Sequence, residues 1–418
     1  MLLPLATAPT AHAAPGPGPA SPSAAPGGAA PGSGPKNDGK AGKGKPPKEP
    51  PEQMSTIGGE LLGKPGTQVQ YGPGAPHLPE NLSGNSWIVA DAESGDVLAS
   101  HNAHWQLPPA STLKMLFADT VLPKFPKEQR HKVVPADLEG MGEGSSQVGI
   151  KEGETYSVHD MWLGVFLRSG NDAVHVLSAM NGGVNRTVDD MQDHADELQA
   201  RDTHVITPDG YDAEGQVSSA YDLTLFARSG LQKADFREYC STARAKFPDA
   251  ENKGKFKEII NTNRLLTGAD GMTPYQGMAG VKNGSTTNAG NTFTGVAQHD
   301  GRKLLVTVMN PETKEPNEVY KETAALMDWG FEASGHVTPV GVLVPPRGGA
   351  AAGKSGGAAT AGSARGARNN AQASVTGSGD GMWTAVGITG GALALLAVAA
   401  FVVHRRWPLP ELVRRRPK

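Results

Sequence analysis

The sequence predicts an α+β domain in which one antiparallel sheet is flanked by helices. Three observations support this: one hairpin pattern near the start of the apolar-rich region, a second near its end, and helical periodicities between them. Because hairpins from both ends of a domain can join one sheet, we expect the two ends to lie side by side.

Each hairpin consists of two apolar runs around a polar turn. The turn signals are Glu93-Ser94-Gly95-Asp96 and Asp300-Gly301. The strands are residues 87–90 and 97–99 in the first hairpin and 293–297 and 304–308 in the second. Five further segments repeat apolar residues at helical spacing. They are residues 157–166, 172–180, 189–198, 220–227 and 319–329.

A sixth helix is predicted to begin near Ser111, after two prolines and before the apolar run Met115–Ala118. Lys114 follows Ser111 by three positions, so the two side chains share one helix face. An amine in this place can take the serine proton if burial depresses its pKa, which makes Ser111 a candidate nucleophile. The alternative is a capping serine and a solvated lysine, since the same pattern recurs at Ser33–Lys36 in a Pro/Gly tract.

Composition divides the chain into segments, and only one of them is rich enough in apolar residues to build a core. The predicted segments are a secretory signal remnant (1–13), a Pro/Gly-rich disordered linker (14–66), the folded domain (67–335), a Gly/Ala-rich linker (336–381), a transmembrane helix (382–403) and a basic cytoplasmic tail (404–418). Residues 11–13, Ala-His-Ala, fit a small-x-small cleavage site. An ordinary Ala/Pro-rich tail is the alternative for the first segment.

The predicted membrane span carries no charge and is about long enough to cross a bilayer. The arginine-rich segment after it, with Glu411 as its one acid, indicates a cytoplasmic tail and an extracytoplasmic domain. A buried core helix is the alternative for residues 382–403.

The chain has one cysteine, Cys240, so it contains no intramolecular disulfide and no cysteine-based metal site. We expect Cys240 to be a small buried apolar residue. His159 and His175 belong to no ligand-spaced cluster, so we interpret them as core-edge or surface histidines, and we expect no metal or other cofactor. The net charge of −3 gives no reason to propose a nucleic-acid partner.

Two more short motifs follow Ser111 in the chain. Ser169-Gly170-Asn171 lies between two helical segments, and Lys282–Thr286 is expected to open the first strand of the last hairpin. Chance copies occur at Ser83-Gly84-Asn85 and Lys151-Glu152-Gly153, so the order and context of the motifs carry the information.

In this order the motifs resemble the low-molecular-mass penicillin-binding proteins, which are serine D-alanyl-D-alanine carboxypeptidases. The resemblance covers about residues 85–332 and includes further stretches. They are Pro109–Thr112, Gly144–Ser146, Arg168–Ala173, Thr203–Gly210, Ser218–Leu223 and Asn263–Leu266. It implies a β-lactamase/transpeptidase-like fold, with a helical cluster carrying the Ser169–Asn171 loop.

The resemblance also implies the chemistry. Ser111 would attack the penultimate D-alanine of a peptidoglycan stem peptide, with Lys114 taking its proton, and β-lactams would acylate the same serine. Ser169 would pass a proton to the leaving amine, while Asn171 would orient the substrate and Lys114.

The third motif, by resemblance, binds substrate. Lys282 and Thr286 would face its terminal carboxylate, and the backbone N–H of Ser285, beside Gly284, would complete an oxyanion hole with that of Ser111. The family usually has threonine where this chain has Asn283. Because successive side chains of a strand point to opposite faces, we expect Asn283 to face away from the nucleophile.

Two other functions remain open. A class A β-lactamase would need a deacylating glutamate in an E-x-x-L-N loop, and Glu197-Leu198-Gln199-Ala200 does not fit that pattern. A non-catalytic, membrane-anchored domain that binds the cell wall could share the fold.

Overall fold

The computed structural model describes residues 49–252 and 254–348. Its strands are β1 (Thr67–Tyr71), β2 (Gly84–Asp91), β3 (Asp96–His101), β4 (Arg130–Lys132), β5 (Thr155–Ser157), β6 (Arg244–Pro248), β7 (Phe256–Ile260), β8 (Met278–Thr286), β9 (Gly290–His299), β10 (Arg302–Pro311), β11 (Val337–Thr338) and β12 (Gly341–Val342). The main sheet is antiparallel, in the order β11-β1-β3-β2-β10-β9-β8, and β12 pairs with β3. The pairs β4-β5 and β6-β7 form two small separate sheets.

The helices are α1 (Lys114–Val121), α2 (Val158–Arg168), α3 (Asn171–Met180), α4 (Val184–Glu197), α5 (Ala220–Gly230), α6 (Ala234–Ser241), α7 (Arg264–Thr267) and α8 (Glu318–Ala333). Short 3₁₀ turns include residues 110–113, directly before α1. The fold is therefore the predicted antiparallel sheet flanked by helices.

The central strands β2 and β10 are apolar on both faces because helices cover both sides of the sheet. Val89 and Val306 are cross-strand partners and pack in one cluster with Leu326 of α8. Ile88 and Leu305 alternate with them and join the larger cluster on the opposite face. This period-two alternation fixes the register, since a one-residue slip would exchange the two faces.

The helical part of the molecule is organised by the junction of α2 and α3. At the start of α2, Ser157 accepts a hydrogen bond from the Asp160 N–H, and the Asp160 carboxylate accepts from the Ser157 backbone in return. This reciprocal cap satisfies two otherwise unpaired donors. At the other end, α2 stops at Arg168 and α3 begins at Asn171, so the second motif forms the corner between two buried helices.

Both predicted hairpins and all five predicted helical segments are confirmed, with α4 beginning earlier than expected, at Val184. The prediction for Lys282–Thr286 was wrong in one respect. These residues end a separate strand, β8, and β9 begins only at Gly290.

The packed chain extends past both predicted bounds of the folded domain. Leu62, which was assigned to the linker, is fully buried, and Val340 and Leu343 are buried after residue 335. Within the described residues, the helices are too short or too polar to cross a membrane. The predicted signal remnant and the predicted membrane span at 382–403 lie outside the described residues.

Candidate active site

Ser111 lies in the 3₁₀ turn that leads into α1, as the prolines before it and the apolar run after it predicted. The turn is tight: Ala110 has a φ of 51°, in the left-handed region that non-glycine residues rarely adopt. Two glycines from other parts of the chain pack against it. A Cβ on Gly284 would lie 2.7 Å from Ser111 N, and one on Gly210 would collide with Ala110 O.

Lys114 connects the nucleophile to two other segments. Its Nζ lies 2.9 Å from Ser111 Oγ, 2.7 Å from Asn171 Oδ1 and 2.6 Å from the backbone oxygen of Asp209. The side chain is almost completely buried. Three short contacts at one buried amine hold its orientation toward Ser111 closely.

Burial lowers the pKa of Lys114 to about 8, because the charged ammonium loses its water shell. The carboxylates of Asp209 and Asp172 act in the opposite direction and keep the pKa from falling further. A lysine with this pKa exchanges its proton near neutral pH, which an ordinary surface lysine does not.

The corner between α2 and α3 carries Ser169 and Asn171, and Asn171 contacts Lys114. Ser169 ends α2 with a φ of 56°, and its buried Oγ has no hydrogen-bond partner among the described residues. Asp172 anchors the corner, because its carboxylate accepts the N–H groups of Val148, Gly149 and Ile150. This corner therefore carries the Ser169 hydroxyl, which has no partner among the described residues, and the Asn171 amide, which is hydrogen-bonded to Lys114.

Lys282 on β8 is buried, and its Nζ donates to the backbone oxygen of Asn283 at 2.7 Å. Burial lowers its pKa well below the usual value, and the charge of Lys114 lowers it further. The Asn283 side chain binds Thr262, whose Oγ1 donates a hydrogen bond to Asn283 Oδ1 at 2.8 Å. Its Oδ1 is 3.4 Å from Lys282 Nζ, so the two residues also touch.

The remaining residues of the third motif, 284–286, are the last three residues of β8. Gly284 faces the Ser111 turn at a distance that no side chain would permit. Ser285 is exposed, and Thr286 Oγ1 accepts the N–H of Ala289 in the turn between β8 and β9.

The structure brings Ser111, Lys114 and Asn171 into one hydrogen-bonded group and places Gly284 against its backbone. Lys282 interacts electrostatically with Lys114, and Ser169 is two residues from Asn171 in the chain. Neither is hydrogen-bonded to Ser111 among the described residues.

Sequence reasoning gave no role to Asp209 or His175. Asp209 was part of a resembling stretch, and His175 was interpreted as a core-edge or surface histidine. Both are buried, and His175 Nε2 lies 3.7 Å from Asp209 Oδ2. Their contact joins a loop to a helix distant in sequence, so no spacing rule could have found it.

Among the described residues, His104, Asp202 and Asp222 form a group with metal-ligand spacing. His104 Nδ1 and Asp202 Oδ2 are 2.6 Å apart, a hydrogen-bond distance that leaves no space for an ion between them. Ser111 and its neighbours offer a hydroxyl, amines and an amide instead, which are the groups of nucleophilic chemistry.

Comparison with known proteins gives one consistent result. The sequence model of a family described as D-alanyl-D-alanine carboxypeptidase matches residues 73–313. The carboxypeptidase DacB2 of Mycobacterium tuberculosis is 35% identical over 261 residues, which cover 62% of this chain and 85% of the relative. The carboxypeptidase DacD of Escherichia coli is 31% identical, and the match covers 62% of this chain and 65% of DacD.

A solved structure of a D-alanyl-D-alanine carboxypeptidase from Mycobacterium tuberculosis H37Rv superposes with a TM-score of 0.59 at 32% identity. The superposition covers 66% of this chain and all of the other. The family match at residues 73–313 includes Ser111, Lys114, Ser169, Asn171 and Lys282.

Proposed function

The chain belongs to the D-alanyl-D-alanine carboxypeptidase family, and we propose that it removes the terminal D-alanine from peptidoglycan stem peptides through an acyl-enzyme on Ser111. The contacts of Lys114 carry this proposal. Asn171 Oδ1 and the Asp209 backbone oxygen only accept hydrogen bonds. A neutral Lys114 would donate its two protons to them and direct its lone pair at the Ser111 hydroxyl. The site is therefore arranged for proton transfer from Ser111 to Lys114.

The pKa of Lys114, about 8, fits this role. At pH 7 roughly a tenth of the molecules would hold the neutral amine, against fewer than about one in a thousand for an unperturbed lysine. After the serine oxygen bonds to the substrate carbonyl carbon, the ammonium holds the proton that the leaving amine needs.

Negative charge that develops on the carbonyl oxygen needs two donors. We assign them to the backbone N–H groups of Ser111 and Ser285. Gly284 supports this assignment, because its missing side chain lets β8 approach the Ser111 backbone.

Ser169, whose hydroxyl is unpaired, would carry the proton between Lys114 and the leaving amine. Lys282 and Thr286 would bind the terminal carboxylate of the substrate. In the structure Lys282 Nζ is bonded to the Asn283 backbone oxygen, so it would turn toward the carboxylate when substrate binds. Water then hydrolyses the ester and releases the shortened peptide.

Because a β-lactam presents a similar carbonyl, it would acylate the same serine. The test is mass spectrometry of the full chain after incubation with penicillin, followed by digestion to locate the adduct. We expect one long-lived adduct on the Ser111 peptide, and release of D-alanine from a D-Ala-D-Ala peptide by untreated protein.

The control is Ser111→Ala, which should lose both the adduct and D-alanine release. An adduct that persists in this variant would contradict the assignment. Rapid turnover of penicillin would instead indicate a β-lactamase, and a wild-type protein without any adduct would indicate a non-catalytic wall-binding domain.

We also propose that residues 382–403 anchor the protein in the cell membrane, with residues 67–335 outside and the basic tail inside. The uncharged run and the arginines after it support this. Removal of residues 382–418 should move the protein from the membrane fraction to the soluble fraction. An unchanged membrane fraction would contradict the proposed anchor.

A further inference from the structure

Behind Lys114 lies a second pair of buried ionisable side chains, Asp209 and His175. Asp209 is 1% exposed and His175 is 4% exposed, and the carboxylate and imidazole face each other across 3.7 Å. Among the described residues, neither side chain is hydrogen-bonded to Ser111. Asp209 contacts the proposed base, Lys114, through its backbone oxygen, and His175 faces the Asp209 carboxylate.

The Asp209 carboxylate is fixed by its own loop. Oδ1 accepts the Thr207 hydroxyl at 2.8 Å and the Tyr211 N–H at 2.9 Å, which closes an Asx turn. The same residue gives its backbone oxygen to Lys114 Nζ. The turn thus holds the negative charge of Asp209 close to the ammonium of Lys114.

The imidazole of His175 is also fixed. Nδ1 lies 2.9 Å from the backbone oxygen of Glu139, which can only accept, so Nδ1 carries a proton. Nε2 then faces the Asp209 carboxylate. A neutral ring would direct a lone pair at that anion, whereas a second proton on Nε2 turns the contact into attraction.

We propose that His175 and Lys114 compete for the charge of Asp209, and that this competition sets the pH at which Lys114 can take the proton of Ser111. Asp209 and His175 are then positioning residues that act through Lys114. The inference rests on the proposed role of Lys114 as the base.

The direction of each shift in the pH dependence follows from the charges on Asp209 and His175. The Asp209 carboxylate stabilises the Lys114 ammonium, so it shifts activity toward higher pH. A protonated His175 neutralises part of that carboxylate and shifts activity back toward lower pH. Although burial opposes it, the facing His175 and the charge of Lys114 lower the pKa of Asp209 to about 2, so its charge is constant over the working range.

Two other ionisable groups act on Lys114. Asp172 on α3 is a second anion, held by three backbone N–H groups. Lys282 on β8 and Lys114 repel each other when both are protonated, so Lys282 acts in the opposite direction, and it is the same in every variant tested below. Neither contacts the Asp209–His175 pair through a hydrogen bond in the described residues.

The test is the rate of acylation of the full chain by a fluorescent penicillin, measured from pH 5.5 to 10. For the wild type we expect the rate to rise through a midpoint near 8. Asp209→Asn keeps the shape of the Asx turn and removes its charge. We expect it to lower the midpoint by about one unit, because an opposite charge at close range is removed. Below pH 7 this variant should react up to tenfold faster than the wild type.

His175→Gln should move the midpoint by less than Asp209→Asn does, and the double variant should match Asp209→Asn alone. The matched control is Asp212→Asn in the same loop, whose carboxylate accepts the Asn288 N–H. It should leave the midpoint unchanged.

A midpoint that stays at the wild-type value in Asp209→Asn would overturn the proposal, whatever the change in maximal rate. A lower maximal rate alone would indicate only a structural role. No shift in His175→Gln would remove His175 from the proposal. If the wild type itself forms no adduct on Ser111, the proposed function fails, which is a separate result.

Discussion

The α8 side of the sheet and the proposed active-site cleft bury opposite kinds of side chain. On the α8 side, Val89, Leu304, Val306 and Leu326 pack as one apolar cluster. In the cleft, defined by Ser111, Lys114, Ser169, Asn171 and Lys282, two lysines are buried at 1% exposure each. Apolar burial on this scale stabilises the fold by about 25 cal/mol per Å², whereas burial of a charge costs free energy.

The apolar α8 side therefore stabilises the fold, whereas the buried lysines of the cleft cost stability and supply reactivity. Lowering the pKa of Lys114 from 10.5 to about 8 corresponds to about 3 kcal/mol of unfavourable free energy while the amine is protonated. The unfolded chain binds the proton more tightly, so this cost is complete below pH 8 and fades between pH 8 and 10.5. The α8 side supplies part of the stability that allows the cleft to keep a reactive amine.

The largest effect is expected from the cleft lysine on β8. Lys282→Ala should lower kcat/KM on a D-Ala-D-Ala peptide several-hundredfold, because the substrate carboxylate loses its charged partner. The control is Lys303→Ala on β10, an exposed lysine paired with Glu93, which should change kcat/KM less than twofold. Equal losses in the two variants would remove Lys282 from the site.

Gly284 beside Ser111 and Gly330 in α8 form a matched pair that tests whether the cleft and the α8 side are independent. Gly284→Ala places a methyl group 2.6 Å from Thr292 Oγ1 and 2.7 Å from Ser111 N, so β8 must move away from the nucleophile. We expect about a hundredfold loss in acylation rate, since small displacements at a reacting centre have effects of this size.

The counterpart on the other side of the sheet is Gly330→Ala in α8. Its methyl group would lie 2.8 Å from the side-chain ends of Leu304 and Val89, which can shift. We expect a change in the midpoint of thermal unfolding and an acylation rate within twofold of the wild type. An acylation loss equal to that of Gly284→Ala would show that the two regions are not independent.

A cavity on the α8 side should act on stability alone. Leu326 is fully buried, and Leu326→Ala should lower the free energy of unfolding by about 3 kcal/mol. Denaturant unfolding measures the loss, while penicillin acylation of the folded fraction should stay within twofold. A large loss of acylation in that fraction would mean that α8 also positions the cleft.

The smallest effect is expected from Asn283→Thr. The Asn283 side chain binds Thr262 and does not contact Ser111, so kcat/KM should change less than about tenfold, or about 1.4 kcal/mol. A loss as large as that of Lys282→Ala would show that the position acts on substrate, through the contact between Asn283 Oδ1 and Lys282 Nζ.

Local patterns predicted the parts of this molecule that depend on local geometry. The three-residue spacing of Ser111 and Lys114 placed both on one face, and their contact at 2.9 Å confirms it. Asn171 could be assigned only by resemblance, because its contact with Lys114 joins two helices. The pairings of β2 with β3 and of β9 with β10 followed from the two hairpins, whose strands have strong apolar patterns.

The elements that sequence reasoning missed have weak local patterns. β8 contains two glycines, which lower strand propensity, so its motif was assigned to the next strand. β6 and β7 have only five residues each, and β7, with the sequence Phe-Lys-Glu-Ile-Ile, does not alternate charged and apolar residues. The buried segment around Leu62 follows a Pro/Gly tract whose composition predicted a linker, and its burial depends on the rest of the fold.

The turn at Ala110 also restricts how this protein can change over time. Gly210 and Gly284 press on it from opposite parts of the chain, and Thr292 and Thr112 both donate to the Pro109 oxygen beside it. A larger side chain at either glycine would require the turn to move, and the other glycine blocks that movement. We therefore expect a larger side chain at either glycine to lower the acylation rate strongly, and recovery to need further changes in segments far apart in sequence. With acylation of Ser111 by β-lactams as proposed, resistance through a reshaped nucleophile turn would be a path of several steps.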